Sequence, residues 1–157
     1  MEHVISVLVE NRSGVLARVA GLFSGRGYNI DTLCVAPTQD PSVSRMTIVC
    51  QGDDRIIEQI NKQLNKLIDV VKVRDLTADE HIERELALIK VASTPQTRSE
   101  IVQIVNIFRA RIVDVDLKSL TVEVVGDVHK TQALIDLLRT FGIRELTRTG
   151  RVAITRR

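Results

Sequence analysis

Residues 3–36 read HVISVLVENRSGVLARVAGLFSGRGYNIDTLCVA. The opening HVISVLVE is short and rich in β-branched side chains, which predicts a strand, and Asn11-Arg12-Ser13-Gly14 breaks it. Val15, Leu16, Val19, Leu22 and Phe23 then recur at helical spacing and lay one apolar stripe along a helix that Gly25-Arg26-Gly27 ends. Residues 29–36 return to strand character. Residues 37–41 form a turn, and over 44–51 Met46, Ile48 and Cys50 alternate with Arg45, Thr47 and Gln51, as in a half-exposed hairpin. Asp53 or Asp54 caps a second helix with the stripe Ile56, Ile57, Ile60, Leu64 and Leu67, and residues 70–76 make a fourth strand. The order is βαββαβ.

Residues 77–84 are polar, with Asp79, Glu80 and Glu83, and read as a linker or one short helical turn. The same pattern then restarts. Residues 85–92 form a strand. Pro95 falls early in a helix with the stripe Ile101, Ile104, Val105 and Phe108, and residues 111–117 and 120–125 are the inner strands. A helix from Val128 carries Leu134, Leu137, Leu138 and Phe141, and Gly142 ends it before strand 143–147. The expected fold class is α+β: two tandem ferredoxin-like βαββαβ domains, residues 1–76 and 85–157, each an antiparallel sheet with both helices on one face. A domain of about 70 residues buries only about 60% of its unfolded surface, so each half should lean on a neighbour. The first and third strands are expected at the centre and the second at an edge. That edge carries Ile30, Leu33, Cys34 and Val35 without a Lys or Pro to block pairing, which predicts a symmetric homodimer joined through it.

Composition excludes several classes. The chain has 157 residues, 44% hydrophobic and 27% charged, enough apolar surface for a packed core rather than a disordered chain. No run approaches the ~18 apolar residues of a membrane span, and Met1-Glu2-His3 lacks the flank of a signal peptide, so a cytosolic protein is expected. Cys34 and Cys50 sit inside strand-like runs and read as small core residues rather than a disulfide. Acidic and basic residues balance through Leu76. The net +2 gathers at the end, where Arg144, Arg148, Arg151, Arg156 and Arg157 face Glu145 alone and form either a solvated tail or a contact for an acidic surface. With no Trp and only Tyr28, Phe23, Phe108 and Phe141, the chain offers almost nothing on which nucleobases stack, and nucleic-acid binding is not expected.

Catalytic constellations are absent from the sequence. His3, His81 and His129 have no metal-ligand spacing and read as surface histidines. Neither a phosphate loop nor Gly-x-Gly-x-x-Gly occurs, and Asp53-Asp54 and Asp114/Asp116 suit a helix cap and the solvent face of a strand. The segment Asn11-Arg12-Ser13-Gly14-Val15-Leu16 remains. A helix start leaves backbone N–H groups without internal partners, here those of Gly14, Val15 and Leu16, and its dipole favours an anion. Gly14 lets a ligand approach the backbone, and Asn11 offers both an amide donor and a carbonyl acceptor, which suits a zwitterion such as an amino acid. If two copies pair through the edge strand, Asn29 and Ile30 of one face the loop of the other. A plain loop with an Asn or Ser cap fits these residues equally well.

The run Asn11-Arg12-Ser13-Gly14-Val15-Leu16-Ala17-Arg18-Val19, with Leu22-Phe23 and Arg26-Gly27-Tyr28-Asn29-Ile30-Asp31, resembles the ACT-domain signature. Together with residues 45–49, the helix around Gln59-Ile60 and Gln63–Leu67, and Glu83–Val91, it is similar in particular to the small regulatory subunits of acetolactate synthase. Ser13 departs from the proline that many ACT domains carry before the glycine. The resemblance implies a non-catalytic subunit that activates a large catalytic subunit in branched-chain amino acid biosynthesis and confers feedback inhibition by valine. The implied effector-binding positions are Asn11, Gly14, Val15, Leu16, Asn29 and Ile30. No cofactor is implied in this chain, while thiamine diphosphate, magnesium and FAD are implied on the large subunit. Two other readings stay open: an amino-acid-binding ACT regulator of another biosynthetic enzyme, and a small acylphosphatase-like hydrolase using a loop arginine such as Arg12, for which no second convergent group is found.

Overall fold

The computed structural model describes residues 1–157. Strand β1 (Glu2–Glu10) is paired on both sides, antiparallel to β3 (Val43–Gln51) along its whole length and antiparallel to β4 (Val70–Asp75) over its second half. Strand β2 (Ile30–Pro37) adds outside β3, giving the order β2-β3-β1-β4, so the second strand is an edge as the pattern predicts. Alternation along β1 turns Ile5, Val7 and Val9 towards helices α1 (Val15–Ser24) and α2 (Asp54–Asn65). There they pack with Val19, Phe23, Ile48, Ile60 and Leu64. Each such side chain contributes about 1.5–3 kcal/mol on burial. The α2 cap resolves to Asp53, whose carboxylate accepts the Ile56 N–H at 2.8 Å. The α1 stripe is narrower than its sequence: Val15, Val19 and Phe23 are buried, whereas Leu16 lies off the stripe and is 46% exposed.

The second repeat comprises β5 (His81–Ala92), α3 (Arg98–Ile107), β6 (Arg111–Val115), β7 (Ser119–Gly126), α4 (Val128–Arg139) and β8 (Ile143–Arg148), with sheet order β6-β7-β5-β8. Its core is built from Ile89, Val91, Ile101, Val105, Val122, Leu134 and Leu138. Asp127 caps α4 by accepting the Lys130 N–H at 2.9 Å. Pro95 lies in the turn before α3 rather than within the helix, because Thr94 and Thr97 close that turn on each other.

Three expectations are corrected. Residues 81–84 are not linker but the opening of β5, so the polar connection shrinks to the turn before His81. The chain end is not a solvated basic tail. A further strand, β9 (Val152–Thr155), pairs with β5, and Arg156 N–H donates to Glu80 O at 3.0 Å. Arg151–Arg157 therefore join Met1–Ile82 as one compact unit, and Glu83–Gly150 form the other. Arg151 Nη1 meets Glu2 Oε1 at 2.6 Å, and Ala153 packs with Val4, Val49 and Leu76 in a small buried cluster. Consequently β3 is buried on both faces, Thr47 and Val49 as well as Met46 and Ile48, and is not half exposed. Val152-Ala153-Ile154-Thr155 is apolar and β-branched, but a run of only four residues among arginines carries too little pattern to announce a strand; the apolar face left by Val4, Val49 and Leu76 recruits it. Of the thiols, Cys50 is fully buried and Cys34 half-buried, and both are free. Burial first, then the charges of Asp31 and Asp75, push the Cys50 thiol up to about 11, which keeps it protonated.

Leu76→Ala is expected to destabilise the first unit by about 2–5 kcal/mol in urea unfolding, because it empties the cluster that β9 covers. A loss below about 0.5 kcal/mol, the range of surface positions, would show that the cluster contributes nothing.

Candidate functional site

Helix α1 opens without any side-chain cap. Its first residue is preceded by Gly14 in the left-handed region (φ 85°), a conformation that costs other residues about 1–2 kcal/mol. The cap reading of Asn11 and Ser13 therefore does not describe this loop. Asn11 is instead tied to the β2–β3 turn: its N–H donates to Ser42 O at 2.8 Å, and its side-chain amide donates to Pro41 O at 3.0 Å. Val15 N–H reaches only a long bond to Arg12 O at 3.4 Å. The start of α1 thus keeps the polarity of an uncapped helix, with donors available to an anion.

Arg18, one turn on from Gly14, completes this end of the site and was not singled out by sequence. A Cβ built on Gly14 would lie 3.1 Å from Arg18 Nη1, so the guanidinium stands beside the helix start. It is held there by Asp69 Oδ2, which accepts from Nε at 3.0 Å and Nη2 at 2.5 Å. The available signal was the four-residue spacing that stacks Arg18 over Gly14 on one helix face. Arg12, the arginine of the hydrolase reading, is exposed and paired with Glu10.

The side chains divide unequally. Val15 is 3% exposed and belongs to the core, so only its backbone N–H can serve a ligand, whereas Leu16 is available as an apolar wall. Asn29 and Ile30 lie at the other end of the sheet. Ile30 pairs with Cys50, which pairs with His3, seven residues along β1 from Glu10 and hence about 24 Å away. Asn29 is exposed and donates to Asp31 Oδ1 at 2.9 Å, while Gln51 Nε2 donates to Asp31 Oδ2 at 3.1 Å. This second group is acidic, whereas both arginines of the first, Arg12 and Arg18, are paired with carboxylates and its open donors are the helix-start N–H groups. A single chain does not bring the two together.

The corresponding loop of the second repeat is built differently. Thr94 and Thr97 satisfy each other reciprocally, each N–H donating to the other's hydroxyl at 3.0 and 3.2 Å. Arg98 closes the loop further by donating to Ser93 Oγ, Asp116 O and Leu117 O at 3.1, 2.8 and 3.1 Å. The turn before α3 is thus closed by threonine side chains, although α3, like α1, has no side-chain cap on its first N–H groups.

A split βαββαβ module with an uncapped, glycine-opened helix is the architecture of the ACT class, and residues 5–72 match the AHAS small subunit-like ACT domain family. Residues 84–157 match the family described as the small subunit of acetolactate synthase. The chain is 57% identical over 156 residues to a probable acetolactate synthase small subunit of Archaeoglobus fulgidus, covering 99% of this chain and 98% of that one. It is 51% identical over 154 residues to the acetolactate synthase small subunit of Mycobacterium leprae, covering 98% and 91%. The crystal structure of the acetolactate synthase small subunit from Thermotoga maritima superposes with a TM-score of 0.92 at 43% identity, covering 100% of this chain and 98% of that one. This chain belongs to the acetolactate synthase small-subunit family.

No group of three or more His, Cys, Asp or Glu is placed to hold a metal ion, and no helix is long and apolar enough to cross a membrane. The surface reading of His3 is corrected. It is buried on β1, with Nδ1 2.8 Å from Asp75 Oδ2 and Nε2 3.8 Å from Asp54 Oδ1. Burial alone would raise the Asp75 pKa, but the Thr77 hydroxyl and N–H, together with His3, outweigh it and hold the carboxyl below its usual 3.8. A carboxylate whose folded pKa is depressed contributes stability above its unfolded pKa and loses it as pH falls through the lower folded value. Asp75→Asn should therefore lower stability at neutral pH by about 1.5–3 kcal/mol and lessen the loss on acidification below about pH 4, read by thermal unfolding across pH. Unchanged neutral stability would refute the assigned role.

Proposed function

We propose that this chain is the regulatory subunit of a thiamine-diphosphate-dependent acetolactate synthase, activating the large catalytic subunit and conferring feedback inhibition by valine. The observation that carries this reading is the uncapped start of α1 beside the Arg18–Asp69 pair, its N–H groups open to an anion, set against the acidic group of Asn29 and Asp31 on the unpaired β2 edge. Symmetric antiparallel pairing of two β2 edges brings the beginning of one β2 beside the end of the other. Asn29, Ile30 and Asp31 of one copy then approach the β2–β3 turn that holds Asn11 in its partner. The open helix start of one chain meets the acidic end of the other, and a zwitterion fits between them. The carboxylate of valine takes the Gly14, Val15 and Leu16 N–H groups and Arg18. Its ammonium faces Asn29 and Asp31 of the second copy, and its isopropyl group packs against Leu16 and the opposite Ile30.

A pocket of this kind discriminates a methylene by only ~1–3 kcal/mol, so leucine and isoleucine bind more weakly rather than not at all. If valine prefers one geometry of the dimer, a coupling of ~1–3 kcal/mol alters the large subunit's activity about five- to 150-fold.

Calorimetric titration with valine is expected to give heat for the wild type and none for Gly14→Asp, which puts a negative charge where the carboxylate sits. The variant's melting curve checks that it remains folded. Equal valine binding by the two proteins would remove the site, and a stable monomer in sedimentation at micromolar concentration would remove the dimer. Mixed with its large subunit, the wild type should raise acetolactate formation and make it valine-sensitive; absence of both effects would overturn the functional reading.

A further inference from the structure

The helix-free face of the first unit carries a basic feature, on the opposite side of the sheet from α1. Beneath β9 lies a cavity of about 120 Å³ lined by Ser6, Leu8, Arg45, Lys72, Arg74 and Ile154, among others. Sheet register assembles it. Arg45 of β3 and Lys72 of β4 both pair with Leu8 of β1 and so flank it, and Arg74 stands opposite Ser6 on the next rung of the same face. Three cations thus converge where β1 supplies only an apolar and a hydroxyl side chain.

Their compensation is incomplete. Arg74 Nε donates to Asp79 Oδ2 at 2.9 Å. Arg45, half-buried, donates from Nη1 to the Ser6 hydroxyl at 2.6 Å, a neutral partner, and no carboxylate pairs with it or with Lys72. Like charges brought together beside low-dielectric walls raise the local potential and concentrate anions. The Ser6 hydroxyl, held by Arg45, and the Thr155 hydroxyl at the other side of the cavity add neutral hydrogen-bonding groups. Guanidinium, ammonium and hydroxyl donors around a small cavity are the chemistry that recognises a tetrahedral oxyanion. At ~30 Å³ per water the volume is that of about four waters, which matches a phosphate group.

We propose that this cavity binds a phosphate-type oxyanion, either free or as the terminal group of a small phosphorylated metabolite, independently of the amino-acid site. Arg45 and Lys72 bind the anion from both sides, and β9 roofs it. Thermal unfolding of the full chain is followed at constant ionic strength while inorganic phosphate replaces chloride. The wild type is expected to show a saturable rise in melting temperature, and 31P line broadening that saturates with it. Lys72→Gln, on the exposed side of β4, should weaken phosphate about tenfold or more, and Arg45→Gln similarly. Saturable phosphate binding with unchanged affinity in Lys72→Gln would overturn the assignment, as would a purely linear, unsaturable response in the wild type, the signature of general salt exclusion. Glycerol phosphate distinguishes the sources: binding as tight as phosphate assigns a metabolite's terminal group, weaker binding assigns the free anion. ATP binding without phosphate binding would refute the size argument.

Discussion

Both candidate sites of the first unit are hung on β1, a strand hydrogen-bonded along both edges and buried on both faces. Such a strand has no freedom to slip, because a shift of one residue would carry its entire apolar set to the wrong face. Its end fixes where Asn11 and Gly14 emerge, next to the β2–β3 turn. Its even-numbered residues Val4, Ser6 and Leu8 define the face on which β9 closes and on which Arg45, Lys72 and Arg74 gather. The loop can stay open and uncapped because the sheet, rather than the loop's own hydrogen bonds, holds its two ends.

The two repeats show what that freedom means for binding. After β5, Thr94 and Thr97 satisfy each other and Arg98 ties the loop to residues 116–117. After β1, a glycine with φ 85° provides no side chain at all, and the nearby cation approaches from the next helical turn. Equivalent places in one topology have thus been built once as a threonine-closed turn and once around a bare glycine, while neither helix start carries a side-chain cap. The difference lies in the side chains that crowd the loop, a local matter of a few residues.

Much of this was legible in the chain itself. The switch from two-residue to helical periodicity located all four helices, and the aspartate pair at 53–54 marked the start of α2, whereas the Asp127 cap of α4 was not read from sequence. The resemblance carried by Asn11–Asp31 and by later segments pointed to the family that the comparisons establish. Other features were illegible for stated reasons. Arg18 looks like any exposed helical arginine until its contact with Asp69, 51 residues away, fixes its guanidinium beside Gly14. His3 gives no sign in sequence that Asp75, 72 residues on, lies against it.

By itself the sequence determined the four helices, the βαββαβ order and its repeat, because these depend on periodicity and on residues within a few positions of one another. Only the tertiary structure decided where the chain end goes, which faces of β3 are covered, and which charges meet. Those outcomes depend on packing between segments far apart in the chain, and no local pattern encodes them.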